Sequence, residues 1–391
     1  MNWLSGSVTV RRFAVDGPRP RFFGGEHLDR LRAHAAGTQR IASADGVETG
    51  WTGGESILDT TFTEGKNVWP DHLLFDLWTQ TDRLPADLLK AYYVADLAAL
   101  SRNNPSGYPS SRQKREARES AKDRLWEQAK DGRFLKRKID PILWDAGRNE
   151  VYFGTTSDNA AARLCSLFGQ TFGSDLTQVD LMARGLTPIS AGTLAVSRHP
   201  EAKSERLSEF VRGVTPDEPK WSVDPDVPDF LGSEFLIWLW HIAEQDSDTL
   251  ECPDGSEATF LFSGGVRLGC PRGQGDDVIN SDSGIRTPEA RAGLTVGKIP
   301  TKAALTVVRH ADQFSFKIVA ESLAITAAKL PAPPDDATGR ARDEHRLQAV
   351  RDLVETVEQM YFAFLDKRLG PQWQDELRRI QHWIAGRKAV A

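Results

Sequence analysis

Hydrophobic and polar positions divide the chain into segments of two periods. Ser7 to Val15, SVTVRRFAV, alternates partially, is rich in β-branched residues and predicts a strand. GGEHLDRLRAHA follows as a short helix, and HLLFDLWTQT (72–81) reads as a second strand. Pro85 opens a helix, PADLLKAYYVADLAALSR, in the first-turn position that proline tolerates. The breaker-rich NNPSGYPSS (103–111) is a loop. A helix from about Ser111 to Lys130 comes next, with Ala117, Ala121 and Leu125 along one side and Arg115, Arg118 and Lys122 along a neighbouring one.

PILWDAGRNEVYFGTTS predicts a hairpin turning around Asp145, Gly147 and Asn149. SDNAAARLCSLFGQTFG predicts an amphipathic helix capped by Ser157 or Asp158. DFLGSEFLIWLWHIAEQ is the most apolar helix. EATFLFSGGVRLGC and KAALTVVRHADQFSFKIV read as two further hairpins. After the linker LPAPPDDATG comes a long helix whose Leu347, Val350, Val354, Val357, Tyr361 and Phe364 step by 3 and 4, a core stripe rather than a coiled-coil seam. Strands and helices mix without regular βαβ alternation, so the expected class is α+β with mixed antiparallel sheets. The expected division is an N-terminal α+β region with the basic helix (1–184), a Pro-rich connection (185–231), a second α+β region (232–330) and a C-terminal helical region (331–391).

Charge changes this picture at one place. Between Arg112 and Lys138 stand 11 Lys/Arg against 5 Asp/Glu, a balance of +6 in a chain of −6, so the remainder sums to −12. Solvated helix faces do interleave charges, and Glu116, Glu119 and Asp123 offer i,i+4 partners worth about 0.2–0.5 kcal/mol each. The excess over those partners, and the second cluster Lys136, Arg137 and Lys138, favour binding to a phosphate backbone by counterion release. No zinc finger, homeodomain-like helix or aromatic RNA-binding signature accompanies it, so the binding expected is to duplex DNA without sequence preference.

Catalytic chemistry has little footing. Cys165, Cys252 and Cys270 are far apart and form no CxxC, so neither a zinc site nor a disulfide framework is expected. GLTVGKIPTK (293–302) has three residues between its glycines, and Ile299 follows Lys298 where a phosphate loop has Ser or Thr. TPDEPK (215–220) and PDGSE (253–257) hold only fragments of a metal-dependent nuclease pattern. The eight His form no HxH or HxxxH pair, His241 reads as a core or boundary residue, and there is no GxSxG elbow. No cofactor, metal or catalytic residue is expected. No apolar run reaches the roughly 18–20 residues of a membrane span, and the N-terminal residues lack a secretion signal, which leads to an expectation of a cytoplasmic, nucleoid-associated protein.

The collinear order of several features resembles the RdgC family of bacterial recombination-associated proteins. These are the early Trp-containing strand, Gly50-Trp51, the Lys/Arg-rich helix, Trp144-Asp145 with Val151, a S-x-x-A helix, and Gly297, Lys298, Thr301, Lys302, Ala304 and Leu305 in a GK-x-x-TK-x-AL pattern. DFLGSEFLIWLW (229–240) is similar to a segment of longer members. The resemblance spans roughly 1–180 and 232–369, and the chain exceeds the shorter members chiefly through 185–278 and the tail after Leu369. It implies an α+β homodimer, closed into a ring around double-stranded DNA, that limits RecA filament formation in recombination and has no catalytic activity. Single-stranded DNA is a second candidate ligand. Carried over by position, the DNA-binding residues are Arg112, Lys114, Arg115, Arg118 and Lys122 on the basic helix and Lys298 and Lys302 in the GK…TK element. Lys136, Arg137 and Lys138 join them on charge alone. Two other readings stay open: a scaffold whose basic helix docks an acidic protein, and a metal-dependent nuclease.

Overall fold

A computed structural model describes residues 3–38, 41–42, 47–82, 84–102, 107–173, 185–200, 207–211, 229–245, 248–270, 276–279, 285 and 287–386. In chain order its elements are β1 (Val8–Asp16), α1 (Gly25–Ala33), β2 (Ile41–Ala42), β3 (Glu48–Thr52), α2 (Glu64–Asn67), β4 (His72–Asp82), α3 (Ala86–Ser101), α4 (Ser111–Ala129), β5 (Leu135–Asp145), β6 (Glu150–Phe153), α5 (Asp158–Phe172), β7 (Gly185–Pro188) and α6 (Ala191–Arg198). There follow α7 (Leu231–Glu244), β8 (Thr249–Glu251), β9 (Glu257–Gly269), β10 (Asp276–Ile279), α8 (Pro288–Thr295), β11 (Ile299–Arg309), β12 (Asp312–Val319), β13 (Ile325–Lys329), α9 (Gly339–Arg368) and α10 (Trp373–Ile384). The class is α+β.

The chain forms two compact units that interleave along the sequence. The larger comprises Met1–Phe23, Val68–Leu74 and Pro141–Ala391, and the smaller Gly24–Asn67 and Phe75–Asp140. The sequential division expected from composition therefore differs from the one the contacts draw. The expected connection over 185–231 contains β7 and α6, with β7 paired to β1. Its residues 201–206 and 212–228, TPDEPK among them, lie outside the described residues, as do 103–106 of the loop before the basic helix.

In the larger unit β10, β9, β11, β12, β13, β1 and β6 are neighbours in that order, all antiparallel. Alternation places Ala303, Leu305 and Val307 of β11 and Phe314, Phe316 and Ile318 of β12 on the buried face. There they share one core with α7, whose residues Leu231 to His241 are all buried, and with the α9 stripe. The six stripe residues named from sequence are all buried. The buried Arg12 and the half-buried Arg148 and Arg351 of this unit are paired. Arg12 donates to Glu150 at 2.8 and 2.9 Å and to Glu358, Arg148 reaches Glu358 at 2.6 Å, and Arg351 grips Asp145 at 2.8 and 2.9 Å.

One expected hairpin is a single strand. EATFLFSGGVRLGC lies within and just beyond β9, and its Gly-Gly is a site of register shift against β11 rather than a turn. A Cβ on Gly264 would stand 3.1 Å from that of Ala304, so close strand approach explains the glycine there. The other expected hairpin is β11–β12, closed by His310 and Ala311, both at positive φ (51° and 70°). That geometry favours Asn-Gly. His310→Asn/Ala311→Gly is expected to raise stability by about 1 kcal/mol, read as a shift in denaturant midpoint at constant slope.

The smaller unit pairs β2 with β3 and β3 with β4, sets Trp51 edge-to-face against Phe75 with ring centroids 5.1 Å apart, and carries a helical hairpin of α3 and α4.

Candidate nucleic-acid interface

α4 begins with a complete capping box. The Gln113 N–H donates to Ser110 Oγ at 3.2 Å, and the Ser110 N–H donates to Gln113 Oε1 at 2.8 Å. Ala117, Ala121, Leu125 and Ala129 bury one stripe at i,i+4 spacing. α3 is tied to it by Gln128 Nε2 to the Tyr92 hydroxyl at 2.9 Å, and by Arg124, which meets Asp96 at 2.8 Å while its guanidinium lies 5.0 Å from the Tyr92 ring centre.

Arg112, Lys114, Arg115, Arg118 and Lys122 are all exposed, and among the described residues none has an ion-pair partner. The interleaved Glu116, Glu119 and Asp123 leave them unpaired, so pairing along the helix does not account for the cluster. Arg115, Arg118 and Lys122, at i, i+3 and i+7, fall within about 60° of helix surface, beside the buried stripe. Arg112 and Lys114 stand in the first turn, which holds no acidic residue. Cations there oppose the helix dipole, at a cost of a few tenths of a kcal/mol, and add to its attraction for anions.

Lys136, Arg137 and Lys138 occupy the exposed start of β5, so alternation splits them between two faces. Lys138 bridges to the buried Asp140 at 2.7 Å, and Arg137 Nε donates to Gln80 Oε1 at 2.8 Å. Two of the three are thus tethered, and the downstream cluster is not a second free array.

Lys298 and Lys302 lie in the larger unit and are half-buried. α8 ends at Thr295, Gly297 turns at φ +85°, and β11 starts at Ile299. This helix-to-strand order is the reverse of a phosphate loop. Lys298 borders an apolar niche with Leu207, Leu294 and Ile384. Lys302 lies on the face of β11 opposite the core, directly across from Arg267. Burial, then the charges of Lys317 and Arg267, hold its ammonium below the ordinary lysine range. Arg267 and Lys317 are isolated in sequence, and only strand register brings them to Lys302.

The larger unit also holds a cleft of about 1420 Å³ lined by Trp238, His241, Cys252, Glu376 and Trp383. His241 Nδ1 stands 3.5 Å from Glu376, and burial pushes the Cys252 thiol up, away from the reactive thiolate. Among the described residues no group of three or more His, Cys, Asp or Glu is arranged to hold a metal ion, and no helix is long and apolar enough to cross a membrane. No model of a known protein family matches the chain, and no curated protein matches it.

Proposed function

We propose that the protein is a non-enzymatic, sequence-independent binder of duplex DNA. It acts as a homodimer closed around its ligand, associates with the nucleoid and limits RecA filament formation, as the resemblance to the RdgC family implies. The observation that carries the reading is the set of five exposed, unpaired bases on α4. Such an array gains little from its own helix and much from releasing counterions off a polyanion. The acidic remainder of the chain disfavours stray phosphate contacts and keeps affinity with the basic face.

The test is a salt titration of binding to a random-sequence duplex, beside a closed circle of the same sequence and its single strand. Binding to the duplex should fall steeply with salt, ignore sequence, and release more slowly from the circle than from open ends. Arg115→Glu/Lys122→Glu is expected to weaken binding to every sequence by about tenfold or more at low salt and to flatten the log–log slope by about two units. Unchanged affinity and slope in that variant would make α4 a solvated face. Binding to acidic polypeptide but not to duplex would replace DNA with an acidic protein partner.

A further inference from the structure

Four adjacent strands of the larger unit turn one face away from the core. On β11 that face holds Lys302, Ala304, Thr306 and Val308, and on β12 it holds Gln313, Ser315, Lys317 and Val319. Register then sets bases from distant parts of the chain beside one another. Arg267 on β9 is directly opposite Lys302. Lys317 faces Ala304, the next residue along Lys302's side of β11. Lys329 on β13 faces Ser315, two residues from Lys317. Arg267, Lys317 and Lys329 are exposed, and among the described residues none of the four bases has an ion-pair partner.

The segments 259–268, 302–308, 313–319 and 325–329 contain no Asp or Glu. Like charges directly across a strand pair destabilise a sheet, and Lys302, its ammonium held down first by burial, is lowered further by Lys317 and Arg267.

We infer that this sheet face is a second duplex-binding surface, on which Arg267, Lys302, Lys317 and Lys329 contact phosphates. It rests on the duplex-binding reading, which already contains Lys302, and adds Arg267, Lys317 and Lys329 to it. Four strands at about 4.8 Å spacing set the bases across roughly 14 Å of sheet, and the register steps Lys317 and then Lys329 along the strands as well, so the four form a diagonal row. The hydroxyls of Thr306 and Ser315, 3.0 Å apart on the same face, are further phosphate donors. The exposed aromatic rings among the described residues are Phe22, Tyr108 and Trp126, none on these strands, so the face offers no platform for stacking unpaired bases. Charge complementarity therefore points to the backbone of a duplex.

The full-length chain carrying Arg267→Glu/Lys317→Glu tests this beside Arg115→Glu/Lys122→Glu and the parent. Both sites are exposed and without ion-pair partners, and reversing them relieves the repulsion on Lys302, so a melting temperature no lower than the parent's verifies the fold. The expected result is a fall of about tenfold or more in affinity for a random duplex at low salt, with the salt slope flattened by about two units. Amine labelling of Lys302, Lys317 and Lys329 in the parent should drop when duplex is added. If the sheet variant binds as the parent does while the α4 variant is impaired, duplex binding stands and the second surface is overturned. If the parent itself binds no duplex at low salt, both fall. If the parent binds polyglutamate instead, the row takes carboxylates and the inference is equally overturned.

Discussion

Asp76→Asn is expected to stabilise the protein at pH 8 by about 2–4 kcal/mol and to change it little at pH 4. Asp76 lies on β4 within the smaller unit, opposite Thr52, and is 6% exposed. Burial pushes its carboxyl up to about 7, and the negative charges of Asp140 and Asp59 add to the effect while Lys66 opposes it. In the unfolded chain the same group titrates near 3.8. Folded protein therefore holds a proton that unfolded protein has lost between those values. Stability from this group is full below 3.8 and is lost as pH rises through 7. Asparagine removes the ionisation and so removes the loss at alkaline pH. Asp229, pushed up to about 6 by burial, acts in the same direction in the larger unit. His72 acts in the opposite one. Burial pulls it down to about 4, so the unfolded chain takes up its proton first and stability is lost as pH falls from 6.5. Denaturant midpoints of parent and Asp76→Asn at pH 4 and pH 8 decide the matter. An equal difference at both pH values would mean that the carboxyl is not ionising inside the fold.

The elements legible in the sequence are those whose signal is local. The i,i+4 stripe of α4, the 3-and-4 stepping of α9 and the cap at Ser157 or Asp158 each sit within one segment; the structure places both stripes as read and gives the cap to Ser157, whose Oγ accepts the Ala160 N–H at 3.4 Å. The Gly-Gly of β9 was ambiguous, because glycine serves a turn and a bulge equally well. What sequence concealed is what depends on register between distant strands. A lone Arg267 or Lys317 reads as an ordinary surface base until β9 and β12 are set on either side of β11. The tethering of Lys138 by Asp140 is local, yet a run of three bases looks like one array until strand alternation separates them. The interleaving of the two units is a long-range property too, since it follows from which strands meet.

The bases this fold uses for stability can be told from those left for a partner by a cycle on α7 and α9. Glu234 is fully buried and accepts from the Ser208 N–H at 2.6 Å and from Arg368 Nε at 2.5 Å. Arg368, itself buried, lies with its guanidinium 5.2 Å from the centre of the Trp373 ring. Arg368→Met strands a carboxylate without its cation and is expected to cost about 3–5 kcal/mol. Glu234→Leu takes the buried carboxylate away from the guanidinium and should cost a similar amount. The double variant Glu234→Leu/Arg368→Met removes both charges and both desolvation penalties, so it should lie within about 2 kcal/mol of the parent. Thermal and denaturant unfolding of the four proteins measures the coupling. If the single costs simply add in the double variant, each side chain contributes through packing alone and the ion pair holds nothing. By the same reasoning the exposed bases Arg115, Lys122, Arg267 and Lys317 are unsupported by any carboxylate, and reversing them should lower stability by no more than about 0.5 kcal/mol each. A loss of DNA affinity in those variants then reports on the phosphate contact and not on the fold.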